Sequence, residues 1–173
     1  MLRVVLVNGL LAAAIIAGVS TVLLWTAGGD AAHSQSPWLG YLVMVVGFSF
    51  IFVAIKQHRD KNLGGIIYFG QAFKVGLLVS MIASLAYVIS WEVYYHNGGE
   101  DFIEKYQANY LADLKTKGAT EVELAQTSQE MNDFAVSYAK FHFRALITLA
   151  EIFPVGLIIT LLSAWLLKSQ RKR

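Results

Sequence analysis

The stretch WLGYLVMVVGFSFIFVAI, residues 38–55, decides the fold. It holds 18 residues and no charge. As a helix it would rise about 27 Å, close to the ~30 Å hydrocarbon thickness of a bilayer. Three further segments have the same character: Val4–Trp25, about Val75 to Tyr95, and about Ala145 to Leu167. Burying four such segments in water-soluble form would need a far larger protein than this chain of 173 residues. The sequence therefore predicts an all-α membrane protein with four transmembrane helices in a bundle, forming a single domain over 1–173.

Composition agrees. Hydrophobic residues make up 56% of the chain, against roughly 45–50% in soluble domains. Charged residues make up 15%, against roughly 25%. A net charge of +2 without a clustered basic face gives no reason to expect nucleic acid as a partner. The absence of cysteine excludes disulfides, thiolate metal sites and cysteine nucleophiles. Arg3 followed by an apolar run has the outline of a signal peptide. However, Val4–Trp25 spans 22 residues with only Asn8, Ser20 and Thr21 as polar side chains. That exceeds the ~7–15-residue apolar core of a cleaved leader, so it reads as a retained helix.

Charge sets the expected orientation. Nine of the fourteen Lys and Arg residues lie before the first helix, in the second loop, or in the tail. They are Arg3; Lys56, Arg59, Lys61 and Lys74; and Lys168, Arg171, Lys172 and Arg173. The positive-inside rule then places both termini and the second loop in the cytoplasm. Trp25, Trp38, Trp91, Tyr94 and Tyr95 fall at the expected outer boundary, and Tyr68, Phe69, Phe73 and Trp165 near the inner one. These amphipathic rings favour membrane interfaces.

Between the third and fourth spans lies the one sizeable hydrophilic element, about 97–143, expected as an extracytoplasmic helical hairpin. Asn97-Gly98-Gly99 breaks the third helix. Phe102, Ile103, Tyr106, Tyr110, Leu111 and Leu114 recur at near-helical spacing, and Gly118 supplies a stop. Thr120 with Glu123 fits a capping box opening a second helix, which is expected to run through Lys140 towards the fourth span.

Ionisable groups at membrane depth are the first candidates for function, because burying them in hydrocarbon is costly. Glu92 and Glu151 are the acids inside the apolar segments. Counting helical rise from Lys74 to Glu92 and back from Lys168 to Glu151 places both about 26–27 Å from the inner boundary, near the outer rim. Arg144 and Lys140 precede Glu151 by seven and eleven residues, projecting on nearly the same face. Glu92, Glu151, Arg144 and Lys140 are thus a candidate cluster, either a salt-bridge network joining the third and fourth spans or an ion or ligand site. His96 and His142 are weak metal candidates that with Glu92 would offer Zn²⁺ ligand types; no metal site and no cofactor is assigned. His33 and His58 fall in loops and read as solvated. Ser80, Ser84, Tyr87, Trp91 and Tyr94 trace one helical face, a polar track in outline that helix packing explains more simply, and Gly9, Ala13 and Ala17 make a small-residue ridge for helix packing. Pro154 should kink the fourth span or mark its entry into the core. No G-x-S-x-G, H-E-x-x-H or phosphate-binding glycine loop occurs.

Four stretches carry a resemblance: Tyr-Phe-Gly-Gln-Ala-Phe-Lys-Val-Gly-Leu (68–77), Ser-Trp-Glu-Val-Tyr-Tyr (90–95), Asp-Phe-Ile-Glu-Lys-Tyr (101–106) and Glu-Ile-Phe-Pro-Val-Gly-Leu-Ile (151–158). In this order they resemble a bacterial membrane family called domain of unknown function 4199, from about residue 40 onward. The resemblance implies a bacterial inner-membrane protein of about four helices. The family has no established activity, so no catalytic residue carries over. The expected function is a non-enzymatic packing or interaction module, associating through its hairpin with a second copy or a membrane partner. The alternative is a small transporter or channel-like protein with an ion or polar ligand at Glu92, Glu151 and Arg144.

Overall fold

The structure, a computed structural model, describes residues 1–26 and 37–169. The apolar runs form helices, and so do the two amphipathic stretches between the third and fourth spans. In chain order the helices are α1 (Leu2–Thr26), α2 (Pro37–Asn62), α3 (Phe69–His96), α4 (Phe102–Thr116), α5 (Glu121–Tyr138) and α6 (Phe141–Leu167). Four of them, α1, α2, α3 and α6, are long and apolar enough to cross a membrane.

Each span outruns its hydrophobic stretch, because hydropathy marks only the lipid-embedded part of a helix. Good helix formers carry α2 through Lys56–Asn62. This corrects the placement of His58. It lies in α2, not in a loop, and is buried, with Nδ1 3.3 Å from Asn62 Oδ1. His33 falls outside the described residues, as does the side chain of Trp25.

Local chemistry ends the helices where the sequence suggested. Gly98 at φ 122° and Gly118 at φ 86° take left-handed conformations that a side chain would resist. The Thr120–Glu123 capping box forms: Thr120 Oγ1 accepts from Glu123 N at 3.3 Å, and Glu123 Oε2 accepts from Thr120 N at 2.8 Å. The hydrogen bonds that Thr120 donates to this carboxylate, from its backbone N foremost and from Oγ1 at 2.9 Å, hold the Glu123 carboxyl below its ordinary range. One boundary differs. The helix opened by Thr120 stops at Tyr138, and Lys140, at φ −80° and ψ 124°, separates it from α6. The turn frees the last carbonyls of α5 for a partner discussed below.

In the bundle, α1 packs on α2 and α3, and α6 packs on α3 and α2. The cyclic order is therefore α1–α2–α6–α3, with α1 and α6 at opposite corners. The pattern is that of a membrane interior. Leu10, Leu42, Val45, Leu85, Ile89, Leu162 and Leu166 face outward, while Asn8, Ser80, Ser84, Thr148, Thr160 and Ser163 are buried. Small residues allow the close approach. A Cβ on Gly76 would lie 2.8 Å from Thr160 Cγ2, and one on Gly156 would lie 2.8 Å from Phe48 Cζ and collide with Ser80 Oγ. Gly9 and Ala13 are buried, and a Cβ on Gly9 would touch Ile82 at 3.0 Å, so the ridge on α1 serves the α1–α3 contact. Pro154 lies within α6, which continues through it.

Polar ties sit at the bundle's ends. Asn8 Nδ2 donates to Gln57 Oε1 at 3.1 Å, joining α1 to α2. The segment before α3 docks on the end of α6: Ser169 N donates to Ile67 O at 2.8 Å and Ile67 N donates to Ser169 Oγ at 3.1 Å. At the opposite end α4 and α5 pack on each other, and α5 on α6. Gln107 Nε2 on α4 reaches Asn132 Oδ1 on α5 at 3.1 Å.

Candidate functional site

The candidate site lies where the end of α3, the start of α6 and the end of α5 meet. Glu92 stands one turn before the end of α3, and Arg144 in the first turn of α6. The two residues are 52 positions apart in sequence and form a two-pronged ion pair. Arg144 Nε donates to Glu92 Oε1 at 2.8 Å and Nη2 to Oε2 at 2.6 Å. The remaining terminal nitrogen, Nη1, donates to the carbonyls of Tyr138 at 3.0 Å and Ala139 at 3.3 Å. These are the carbonyls that the break after α5 exposes. The guanidinium also lies 3.8 Å over the Tyr95 ring. Its planar fork suits carboxylate, carbonyls and ring at once, which an ammonium would not.

The pair is nearly dry: side-chain exposure is 1% for Arg144 and 13% for Glu92. Aromatic rings make it so. Trp91, Ile103 and Tyr138 form a small second core, with Tyr94, Tyr95, Phe102 and Phe143 packed on it. Trp91 Nε1 donates to the Tyr138 hydroxyl at 2.7 Å. Burial pushes the Tyr138 phenol well above its ordinary pKa, so it stays neutral and accepts this bond. The core therefore staples α4 and α5 to α3 and α6.

The expected four-residue cluster is only partly assembled. Glu92 and Arg144 are brought together; Lys140 is exposed and enters no ion pair among the described residues. Glu151 shares nearly the same helical angle as Arg144 but stands two turns further along α6 and is exposed. Helical side chains lean towards the N-terminus, so the Arg144 head swings to Tyr138 and Ala139, away from Glu151. His96 stays beside Glu92, with Nδ1 2.8 Å from the Glu92 carbonyl oxygen and 3.9 Å from Oε2. His142 is exposed and takes no part. Among the described residues no group of three or more His, Asp or Glu side chains converges as a metal site would require.

Trp91, expected both at the outer boundary and on the packing face of its helix, follows the packing face. It is buried at 5% exposure and ties two elements together, whereas Trp38, at 81%, is open to its surroundings as an interfacial ring would be. Sequence reasoning gave no role to Tyr138 and missed the two carbonyls. Their only signal is aromatic density on both sides of the insert.

Beside the ion pair, α2, α3, α4, α5 and α6 enclose a partly open cleft of ≈ 390 Å³. Among the described residues, aromatic side chains from Tyr41, Trp91, Phe102, Tyr106, Phe134 and Tyr138 line it together with the carboxylate residue Glu151.

A family model described as "Protein of unknown function (DUF4199)" matches residues 8–169. The chain belongs to this family. The DUF4199 match takes in α2, α3, α6 and all but the first turns of α1, and covers Glu92, Arg144 and Glu151 alike. No curated protein matches the chain, and no solved structure does.

Proposed function

We propose that the protein is a non-enzymatic module of a bacterial inner membrane that presents α4 and α5 on the extracytoplasmic side as a contact surface for another protein. One observation carries this reading. The buried Glu92–Arg144 pair and the Trp91–Tyr138 bond clamp the insert to the bundle, while Val122 and Val136 on α5 remain exposed at 77% and 67%. A loop that merely connected two spans would gain nothing from an anchor that costs the desolvation of two charges. The Lys and Arg bias supports the orientation, with both termini cytoplasmic.

Photo-crosslinking from Val122 and Val136 in membranes, followed by native mass spectrometry of the mildly extracted protein, tests the proposal. Crosslinks from these positions to a second copy or to one other protein are expected, together with a matching oligomer. A strict monomer with no crosslinked product contradicts it. The second reading, a small transporter or channel-like protein, draws on the cleft at Glu151. Flux in liposomes that Glu151→Gln abolishes would favour it over the contact module. Glu92 suits that role less well, because both of its oxygens are held by Arg144.

A further inference from the structure

We infer that the partner of the α4–α5 insert is basic: a protein segment that sets apolar side chains against Val122 and Val136, and Lys or Arg side chains against the carboxylates beside them. The inference rests on the contact-surface reading and narrows it from any second protein to one chemical class.

The face comes first. Val122, Gln129 and Val136 recur at seven-residue spacing on α5, so they share one side of the helix over about 21 Å. All three are exposed. The opposite side of α5, with Phe134 and Tyr138, turns inward to the cleft. The stripe is therefore the outer face of a helix whose inner face is already packed.

Charge says what fits that face. α5 carries Glu121, Glu123, Glu130 and Asp133 and no Lys, Arg or His. All four acids are exposed, and none enters an ion pair among the described residues. Glu121 and Glu123 stand in the first turn, where the helix dipole favours them. That reason does not reach Glu130 and Asp133, further along the helix. Glu121 precedes Val122, Glu130 follows Gln129, and Asp133 stands one turn past Gln129, so carboxylates flank the stripe on both sides.

The chain does not supply the complement itself. Residues 97–143 hold eight carboxylate side chains against four lysines. Lys105 pairs with Asp101 at 3.0 Å and Lys117 with Asp113 at 2.6 Å, and Arg144 is taken by Glu92. Residues 27–36 contain no Lys or Arg. The same charge argues against two other occupants. A second copy would bring another α5 with four carboxylates of its own, and like charges set against each other across an interface are costly. Anionic lipid headgroups would be repelled in the same way. A basic segment meets both features: the carboxylates steer it and fix its register, and the valines supply apolar area.

The test keeps the full chain in its membranes. Benzoylphenylalanine replaces Val122 or, separately, Val136, and the light-induced adducts are sequenced by mass spectrometry. The expected adduct joins α5 to a segment of another protein with more Lys and Arg than Asp and Glu. Glu121→Gln, Glu130→Gln and Asp133→Asn together should cut the adduct yield by about tenfold, since three exposed ion pairs of modest strength are lost. Glu123 is left in place because it caps the helix. The three substituted positions are exposed, so the variant should melt with the parent. Raising salt from about 50 mM to about 500 mM should also lower the yield from the chain with its acids intact, a measurement that needs no charge variant. An adduct to a second copy, to lipid, or to a segment without excess basic charge overturns the inference. So does a yield unchanged by the substitutions or by salt, which leaves the contact surface standing. No adduct from either position overturns both.

Discussion

At the residue scale, Arg144 makes the strongest demand on its surroundings. A guanidinium at 1% exposure survives only because a carboxylate, two carbonyls and a ring meet it. Removing one partner strands the other, so Arg144→Met and Glu92→Leu should each alone destabilise the fold by about 3–5 kcal/mol. Replacing both together, as Glu92→Leu with Arg144→Met, should cost less than either single change, because no buried charge is then left alone. Thermal or denaturant unfolding of the four proteins in one detergent checks this. Additive losses would show that the pair is not one interacting unit. From the sequence, helical rise places Glu92 near the outer rim, and Arg144 is reached only through its seven-residue spacing from Glu151. The sequence could not show that Glu151 stands outside the pair, because angle on a helical wheel omits the lean of a long side chain towards the N-terminus. Nor could it foretell the bond that makes Trp91 a staple: the packing face accounts for its burial, but its partner, Tyr138, arrives from 47 residues away.

At the element scale, the insert depends on how α5 begins and ends. It begins on the Thr120–Glu123 box, legible from two residues at the right spacing. Thr120→Ala should cost about 1 kcal/mol, concentrated in the first turn of α5. Hydrogen exchange at the amides of Leu124 and its neighbours would register faster opening there, and unchanged rates would refute the cap's role. The carboxyl of Glu123 titrates below its ordinary range in the folded state. Its contribution is therefore complete above the unfolded value and is lost as pH falls through the depressed folded value. Exchange in this turn should quicken in acid before the spans respond. The end of α5 was not legible. The run Tyr138–Arg144 carries no glycine or proline, and the break at Lys140 is imposed by tertiary contacts, the reach of Arg144 to the carbonyls of Tyr138 and Ala139.

At the scale of the whole molecule, four spans could be read directly because the hydrocarbon thickness sets their length. Their order around the bundle could not. It depends on the pairing of small residues with facing side chains, as Gly9 meets Ile82 and Gly76 meets Thr160. The central claim is that these four helices cross the membrane with the α4–α5 insert outside and the α2–α3 connection inside. The chain contains no cysteine, so single introduced cysteines report without background. Gln129→Cys on α5 and Lys61→Cys near the end of α2 occupy exposed positions at opposite ends of the bundle. With a membrane-impermeant maleimide on spheroplasts, Gln129→Cys should label in intact cells and Lys61→Cys only after lysis. Labelling of Lys61→Cys in intact spheroplasts, with Gln129→Cys protected until lysis, would contradict the orientation and with it the extracytoplasmic contact surface.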